Sequence, residues 1–532
     1  MTELHPTTPT ALSRRTTLRA AGGGTLLLGL GLAGCRSAVS EAGPEAAGAE
    51  AAAKPRRGGT LSVAVNSDFT PSLLFAQSSQ SLQQRLVYNT LIRYDDRLTP
   101  QPELATSWEY AEDGRGITLK LRTGVTYHDG RPFTADDVIF AVKNLQNPLR
   151  AAQLRSTAAA ITGFEKRGDH ELALKLAHPV NNLFDLFEFM IITDRNSVEE
   201  AVAGKKLNGT GPFKLTKWSP GTGLSLTRNE KYWQPDRPYL DAVEFRVISQ
   251  ADALLSSLRT GQTQLSYGVP GRNLATLAAD PELVISEYAT GGGAHYLGVN
   301  TTVAPLNDKT VRQALAWGID RERILKQVLG GYGLASATPW PKSSPAFSEA
   351  GRTHYTYDPG KARELLKSAG HTTLDLPLLH INLPGDTAVA EAVQYDLKQI
   401  GVRVTLGPTD PATAQKNLIS QSMPGLWTMS HGFAQVQPST LAVSAYPFNE
   451  AKNTSRFRSA HYTKVVRDAW TTPETGARAN ALRQQITDTL LDEAFIIDLV
   501  IRGSVQVAAK KLRGVTLNKF TYLNLDDAHL AG

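Results

Sequence analysis

Only one cysteine, Cys35, occurs among the 532 residues. No internal disulfide can brace the chain and no thiolate is left for metal or nucleophilic chemistry, so stability has to come from packing. Residues 36–57, rich in Ala, Glu, Gly and Pro, hold almost nothing large and apolar to bury and read as a flexible tether. The globular part begins near Gly58 and runs to Gly532. It is too long for one core, which predicts two or three lobes with room for a cleft. The formal charge of +6 is partly an upstream property: residues 1–57 carry seven Lys or Arg and four acids, leaving 49 basic against 46 acidic side chains downstream. A nearly neutral body lacks the clustered basic face that nucleic acid demands, so nucleic acid is excluded as a partner. No later segment is apolar enough to cross a membrane.

Upstream of the tether, Ser13-Arg14-Arg15-Thr16-Thr17-Leu18-Arg19 precedes an apolar run from Thr25 to Ala33, too short to span a hydrocarbon core of about 30 Å as a helix. Residues 1–35 therefore read as a secretory signal that is removed, rather than as an ordinary N-terminal helix. The run closes on Leu32-Ala33-Gly34-Cys35, which resembles the lipobox of bacterial lipoproteins. That resemblance makes Cys35 the residue that takes a diacylglyceryl group and becomes the new N-terminus. The arginine pair resembles a twin-arginine signal with Thr17 where Phe is usual, which leaves the route open between twin-arginine and general secretion.

Strand-like and helix-like segments alternate from Gly58 onward, which predicts an α/β architecture. Thr60-Leu61-Ser62-Val63-Ala64-Val65 reads as a first sheet strand. Thr134-Ala135-Asp136-Asp137 offers a hydroxyl cap and first-turn acids ahead of Val138, Phe140 and Val142. Asn307 or Asp308 can cap a helix whose Val311, Ala314, Leu315, Gly318 and Ile319 form one apolar stripe. Asp320 can start a second helix through Ile324, Leu325, Val328 and Leu329 that ends at Gly330-Gly331. Asp358-Pro359 and Gly370 bracket a third.

These helices and turns fall inside five blocks. The first runs from Val87-Tyr88-Asn89-Thr90-Leu91 to Glu103-Leu104-Ala105-Thr106-Ser107-Trp108. The second is Leu119 to Val138 with His128-Asp129-Gly130-Arg131-Pro132-Phe133. The third is Gly209-Thr210-Gly211-Pro212-Phe213 with Arg228-Asn229-Glu230-Lys231-Tyr232-Trp233. The fourth is Tyr296-Leu297-Gly298-Val299-Asn300 with Val311-Arg312-Gln313-Ala314-Leu315, and the last is Tyr357-Asp358-Pro359 with Lys361-Ala362. In order and spacing the chain resembles the extracellular solute-binding proteins of family 5, the oligopeptide, dipeptide and nickel receptors of ABC importers. The resemblance implies a two-lobed periplasmic-binding-protein-like type II (class C) fold with an extra sub-lobe and hinge strands. Lobe I would take 58–290 plus 496–532, with the sub-lobe at 82–208, and lobe II 291–495. It further implies a monomer that captures a peptide-like or other small solute by hinge closure. Its partners would be an ABC permease and ATPase, and the outer leaflet of the cytoplasmic membrane through the lipid anchor. No cofactor or resident metal is implied.

Ligand contacts are expected in loops at the carboxyl ends of sheet strands, where the crevice of an α/β lobe lies. Candidates are Asn66, Asp68 and Phe69 after the first strand, Tyr88 in the first block, Asn300 after the fourth, Trp340, and Trp427, His431, Phe433 and Gln435 in the loop Trp427–Gln435. Peptide-binding relatives typically carry Gly-Trp-x-x-Asp in that last loop, the acid pairing with the peptide's amino group. Gly432-Phe433-Ala434-Gln435-Val436 has no acid there, and leaving an ammonium buried without a counter-charge costs on the order of several kcal/mol. A blocked or cyclic peptide, a sugar, a chelated metal or another neutral solute fits at least as well as a free-amine peptide, unless Asp68 or Asp410 supplies the charge. His431 is the one candidate for contact with a metal chelate.

No HExxH, Cys-x-x-Cys, G-x-x-x-x-G-K-S/T or G-x-S-x-G pattern occurs, so no enzyme is read from motifs. His128-Asp129-Gly130 reads as a turn, and adjacent Asp136-Asp137 point different ways on a helix. An exported hydrolase with two facing carboxylates, and a receptor that signals without import, stand as the rival readings.

Overall fold

The computed structural model describes residues 55–76, 81–288, 293–432, 436–518 and 520–531. The expected signal and lipobox Cys35, most of the tether, and Phe433 and Gln435 lie outside the described residues.

Two mixed sheets organise the described chain. The first orders its strands as Leu283–Tyr288, Ser504–Ala509, Leu265–Ser266, Thr60–Val65, Ala242–Val247, Gly223–Arg228 and Phe213–Ser219. Thr60–Val65 is its centre, parallel to Ala242–Val247 and to Leu265–Ser266. It is buried almost throughout, as a central strand covered on both faces must be. The second sheet orders Gly333–Ala335, Ile496–Arg502, Ala294–Val299, Leu426–His431, Leu374–Ile381 and Val402–Thr409. Between the first and later strands of the first sheet is inserted a smaller antiparallel sheet of Ala105–Tyr110, Gly116–Leu121, Glu171–Leu176 and Ile161–Lys166.

The chain passes between the two large sheets twice, side by side. Leu283–Tyr288 and Ser504–Ala509 pair antiparallel in the first sheet; their continuations Ala294–Val299 and Ile496–Arg502 pair antiparallel in the second. Ile496–Arg502 is thus an internal strand of the second sheet, and the chain returns to the first only past Gly503.

The helix starts follow their local chemistry. Asp137 Oδ2 accepts from Thr134 N at 3.0 Å at the head of Ala135–Gln146. Asp308 accepts from Thr310 N at 2.7 Å before Lys309–Trp317, and Asp358 from Lys361 N at 2.9 Å before Pro359–Ser368. After Asp320 the expected helix is only Arg321–Arg323, continued by a π-helical turn Ile324–Val328. His128–Arg131 is the expected turn, closed by Arg131 N on Asp129 Oδ1. Trp108 packs on Phe184 and Trp233 donates to Asn89 Oδ1 at 3.1 Å, both in packing roles. No helix among the described residues is long and apolar enough to cross a membrane.

Candidate functional site

Strand direction fixes where a site can form. In the first sheet the carboxyl ends of the parallel strands Thr60–Val65 and Leu265–Ser266 lie on the side from which the chain crosses over, because Leu265–Ser266 runs antiparallel to Ser504–Ala509. In the second sheet Leu426–His431 is antiparallel to Ala294–Val299 and parallel to Leu374–Ile381, so the carboxyl ends at His380 and His431 reach the same crossing. Both sheets therefore offer the strand ends from which α/β proteins build ligand crevices.

At this edge Asn66 is half-buried beside Gly268. His431, 9% exposed, meets Gln153 of the inserted sub-lobe, with Nε2 2.9 Å from Gln153 Oε1. Gln153 Nε2 donates to the Ala76 carbonyl at 3.1 Å, so its Oε1 must accept and His431 carries a proton on Nε2. One amide thus joins the segment after the first strand, the sub-lobe and the second sheet. Nearby, Tyr446 OH donates to Ala151 O at 2.6 Å. Burial pushes the His431 imidazole down to about 3, so it stays neutral. Its ring meets Phe448 edge-on, and Phe448 meets Tyr296 in the same way.

A polar group lies on the second sheet's edge beside this bridge. His295 and His380 are both buried. Burial, and then the Arg502 guanidinium, holds His295 well below the usual imidazole range. Burial raises Asp386, against the pull of Arg502 and His380. Among the described residues no cluster of three His, Cys, Asp or Glu side chains is placed to hold a metal ion.

The other sequence candidates are not brought together here. Asp68 is used up locally: Oδ1 accepts from Phe69 N at 2.7 Å and Trp218 Nε1 at 3.2 Å, and Oδ2 from Gly221 N at 2.7 Å. Phe69 packs edge-on against Trp218 and shares with Tyr88 the wall of a narrow apolar cavity inside the first lobe. Asn300 ends a strand that starts at the crossing, so it sits at the far end of the second sheet. There it donates to Met423 O at 2.7 Å and accepts from Thr302 N and Oγ1, an Asx turn. Trp340 is fully buried and donates to Thr487 Oγ1 at 2.8 Å. Trp427 is fully buried against Gly298. Asp410 caps the helix Pro411–Ser420 through Thr413 N. Gln153, His295, His380, Asp386 and Arg502 escaped the sequence reading. His380 alone carried a signal, as a polar residue near the carboxyl end of a strand-like run.

Residues 99–452 match the family model described as bacterial extracellular solute-binding proteins, family 5 middle. The chain is 27% identical over 492 residues to the glutathione-binding protein GsiB of Pectobacterium atrosepticum, covering 88% of this chain and 93% of that one. It is 29% identical over 359 residues to the oligopeptide-binding protein AppA of Bacillus subtilis, 65% of each chain. Its fold is similar to that of the binding protein AgaA of A. tumefaciens R10, solved in complex with agropinic acid. There the TM-score is 0.81 at 22% identity, over 89% of this chain and 99% of the other.

Proposed function

The chain belongs to the family 5 bacterial extracellular solute-binding proteins, and from that premise we propose that it is the receptor of an ABC importer, closing on its solute at the crossing between the two large sheets. The observation that carries this reading is the paired crossing. Leu283–Tyr288 pairs with Ser504–Ala509 in one sheet and Ala294–Val299 with Ile496–Arg502 in the other, and the carboxyl ends of parallel strands from both sheets converge beside these pairs. Such a joint permits rotation of one lobe against the other. A solute that touches both lobes favours the closed state by its extra contacts there.

The solute is peptide-like in size and lacks a free amino group. Relatives named for glutathione and oligopeptides support the size, and the loop at 432–436 supplies no acid. Asp386 lies in the field of Arg502 and His380. Buried Asp185 already accepts from Tyr94 OH and Thr440 Oγ1. His431 is spoken for by Gln153, which favours an organic solute over a metal chelate. Cys35 anchors the exported protein as a monomer at the outer face of the cytoplasmic membrane, and the protein releases its solute chemically unaltered to the permease.

Thermal-shift titration of the protein with blocked or cyclic peptides, free-amine tripeptides, oligosaccharides and nickel chelates tests this. A ligand at one hundred times its Kd stabilises the fold by about 2.7 kcal/mol, so the true class stands out. Midpoint shifts with blocked or cyclic peptides, together with a smaller radius of gyration on binding, are expected. Large shifts with free-amine tripeptides overturn the ligand assignment, and product formed from any bound solute overturns the receptor itself.

A further inference from the structure

Phe213–Ser219 is an edge strand of the first sheet, and its pairing with Gly223–Arg228 contains a bulge. Leu215 faces Leu226 and Lys217 faces Ser225, with Thr216 left over. Lys214 pairs with Thr227, and Thr227 and Ser225, two apart, point the same way. The bulge therefore turns Lys217 onto the face of Lys214, instead of the inner face of Leu215 where strict alternation would have put it.

The opposite wall is the turn after the helix Val198–Val202. Gly204 has φ +71°, and a Cβ there would strike the Trp218 ring and Pro71. Glycine lets this turn lie against the strand and sets Lys205 and Lys206 beside the two strand lysines. Together they enclose a cavity of about 420 Å³ on whose walls Lys205, Lys206, Lys214, Lys217, His128 and Asp129 appear.

Four ammonium groups share this cavity with one carboxylate, which is already engaged. Asp129 Oδ1 accepts from Arg131 N at 3.1 Å and Oδ2 from Asn208 Nδ2 at 2.8 Å. Lys214 Nζ donates to the His128 carbonyl at 3.2 Å. His128 Nε2 donates to Gly211 O at 3.1 Å, and burial, with Lys214 opposing its charge, holds the ring near 4, neutral at physiological pH. Lys205, Lys206 and Lys217 are exposed and make no ion pair among the described residues, whereas Lys166, Lys309 and Lys464 each meet a carboxylate. Edge lysines do discourage strand pairing, but that role calls for no concavity and no lysines from a second segment. In a body that carries 49 basic against 46 acidic side chains, such one-signed crowding focuses the field into the cavity.

We propose that this cavity binds a phosphate anion, either a free phosphate compound or the headgroup of an acidic phospholipid. No arginine lines it, so no planar fork favours a lone carboxylate. Converging point charges suit the several oxygens of a phosphate. The site lies apart from the crossing and does not rest on the solute assignment.

Calorimetric titration of the full chain with inorganic pyrophosphate forms one arm of the test. Co-sedimentation with phosphatidylcholine vesicles, with and without phosphatidylglycerol, forms the other. Each is repeated with the triple variant Lys205→Gln, Lys206→Gln, Lys217→Gln, whose exposed positions keep the thermal midpoint and the crossing-site ligand shifts unchanged. Binding in the pyrophosphate arm that falls at least tenfold in the variant identifies a free anion. A phosphatidylglycerol-dependent fraction that falls equally identifies the headgroup. Both signals weaken with salt, since screening at physiological ionic strength acts over about 8 Å. Equal binding by wild type and variant in both arms, or binding in neither, overturns the proposal.

Discussion

Two arginines, each 5% exposed, answer the same problem in opposite ways, one in each half of the molecule. Arg85, on the first-lobe side, meets formal charges: Glu103 at 3.0 Å and Glu188 at 2.6 Å, with its guanidinium over the Tyr522 ring. Glu103 also receives Arg93 Nε, Asn89 Nδ2 and Thr90 Oγ1. Arg321, under the second sheet, meets dipoles: its Nε donates to Asp498 O at 2.8 Å, and Nη1 to the carbonyls of Ala316 and Tyr355. The consequences for charge differ. Burial works to raise Glu103, but Arg93 and Arg85 outweigh it and hold it below the usual carboxylate range. Glu188 shares the same Arg85, yet burial wins and lifts it to about 7. Arg321 makes no ion pair among the described residues, and burial pushes it down to about 10 against the pull of Asp498, whose own carboxyl burial lifts well above the usual range. An arginine held by carboxylates makes ion pairs with titrating groups, and one held by carbonyls acts on its buried neighbour Asp498 without such a pair.

Breaking the first network has the largest expected effect. Arg85→Ala strands Glu103 and Glu188 in the interior, and removing one partner of a buried ion pair costs about 3–5 kcal/mol, measured by denaturant unfolding at pH 8. Glu188 sets the sign of the pH effect. A carboxyl raised above its unfolded value adds stability that is full below about 4.5 and is lost as pH rises through about 7. Without Arg85 it rises further, so the penalty of Arg85→Ala shrinks steadily from pH 8 to pH 5. Arg321→Ala removes donors from several buried carbonyls at about 1–3 kcal/mol, a smaller penalty than that of Arg85→Ala. If Arg321→Ala costs as much as Arg85→Ala at pH 8, or acid does not relieve Arg85→Ala, the contrast between the two halves fails.

Much of the local structure was legible because its causes are local. The caps at Asp137, Asp308 and Asp358 depend on residues two or three positions away, and the alternation of Thr60–Val65 on the strand itself. The Arg85–Glu103–Glu188 network was not legible, since Arg85 and Glu188 lie 103 positions apart and share no period. The site suffered in the same way. Phe69, Trp340 and Trp427 look alike in sequence whether they line a crevice or fill a core. Asn300 looked like a crevice residue until pairing showed that its strand runs away from the crossing. Ile496–Arg502 reads as a strand in either sheet, because sheet membership is a long-range property. Gln153 has no signature at all. It became visible only once Ala76 and His431 were seen on either side of it.

That same glutamine offers the finest test, because it sits where the two halves meet. Gln153→Leu keeps the volume but removes both hydrogen bonds of the amide, leaving the Ala76 carbonyl and the His431 Nε2 proton without this partner when the lobes are closed. Losing such buried bonds costs about 1–2 kcal/mol. If closure couples to capture, the solute Kd rises about tenfold while the unfolding midpoint barely moves. His431 adds a pH signature of its own. With the bridge to Gln153 made, burial holds it near 3, whereas a solvated imidazole titrates near 6.5. A histidine depressed in one state destabilises that state as pH falls below the other state's value, so the closed form is at full strength above about 6.5 and weakens by about tenfold in affinity per pH unit below it. His431→Asn has no proton to take up and flattens this slope. Calorimetric Kd values between pH 7.5 and pH 5.5 decide the matter: a slope that survives His431→Asn removes the bridge from the closing mechanism, while its loss in that variant ties capture to the amide that joins Ala76 to His431.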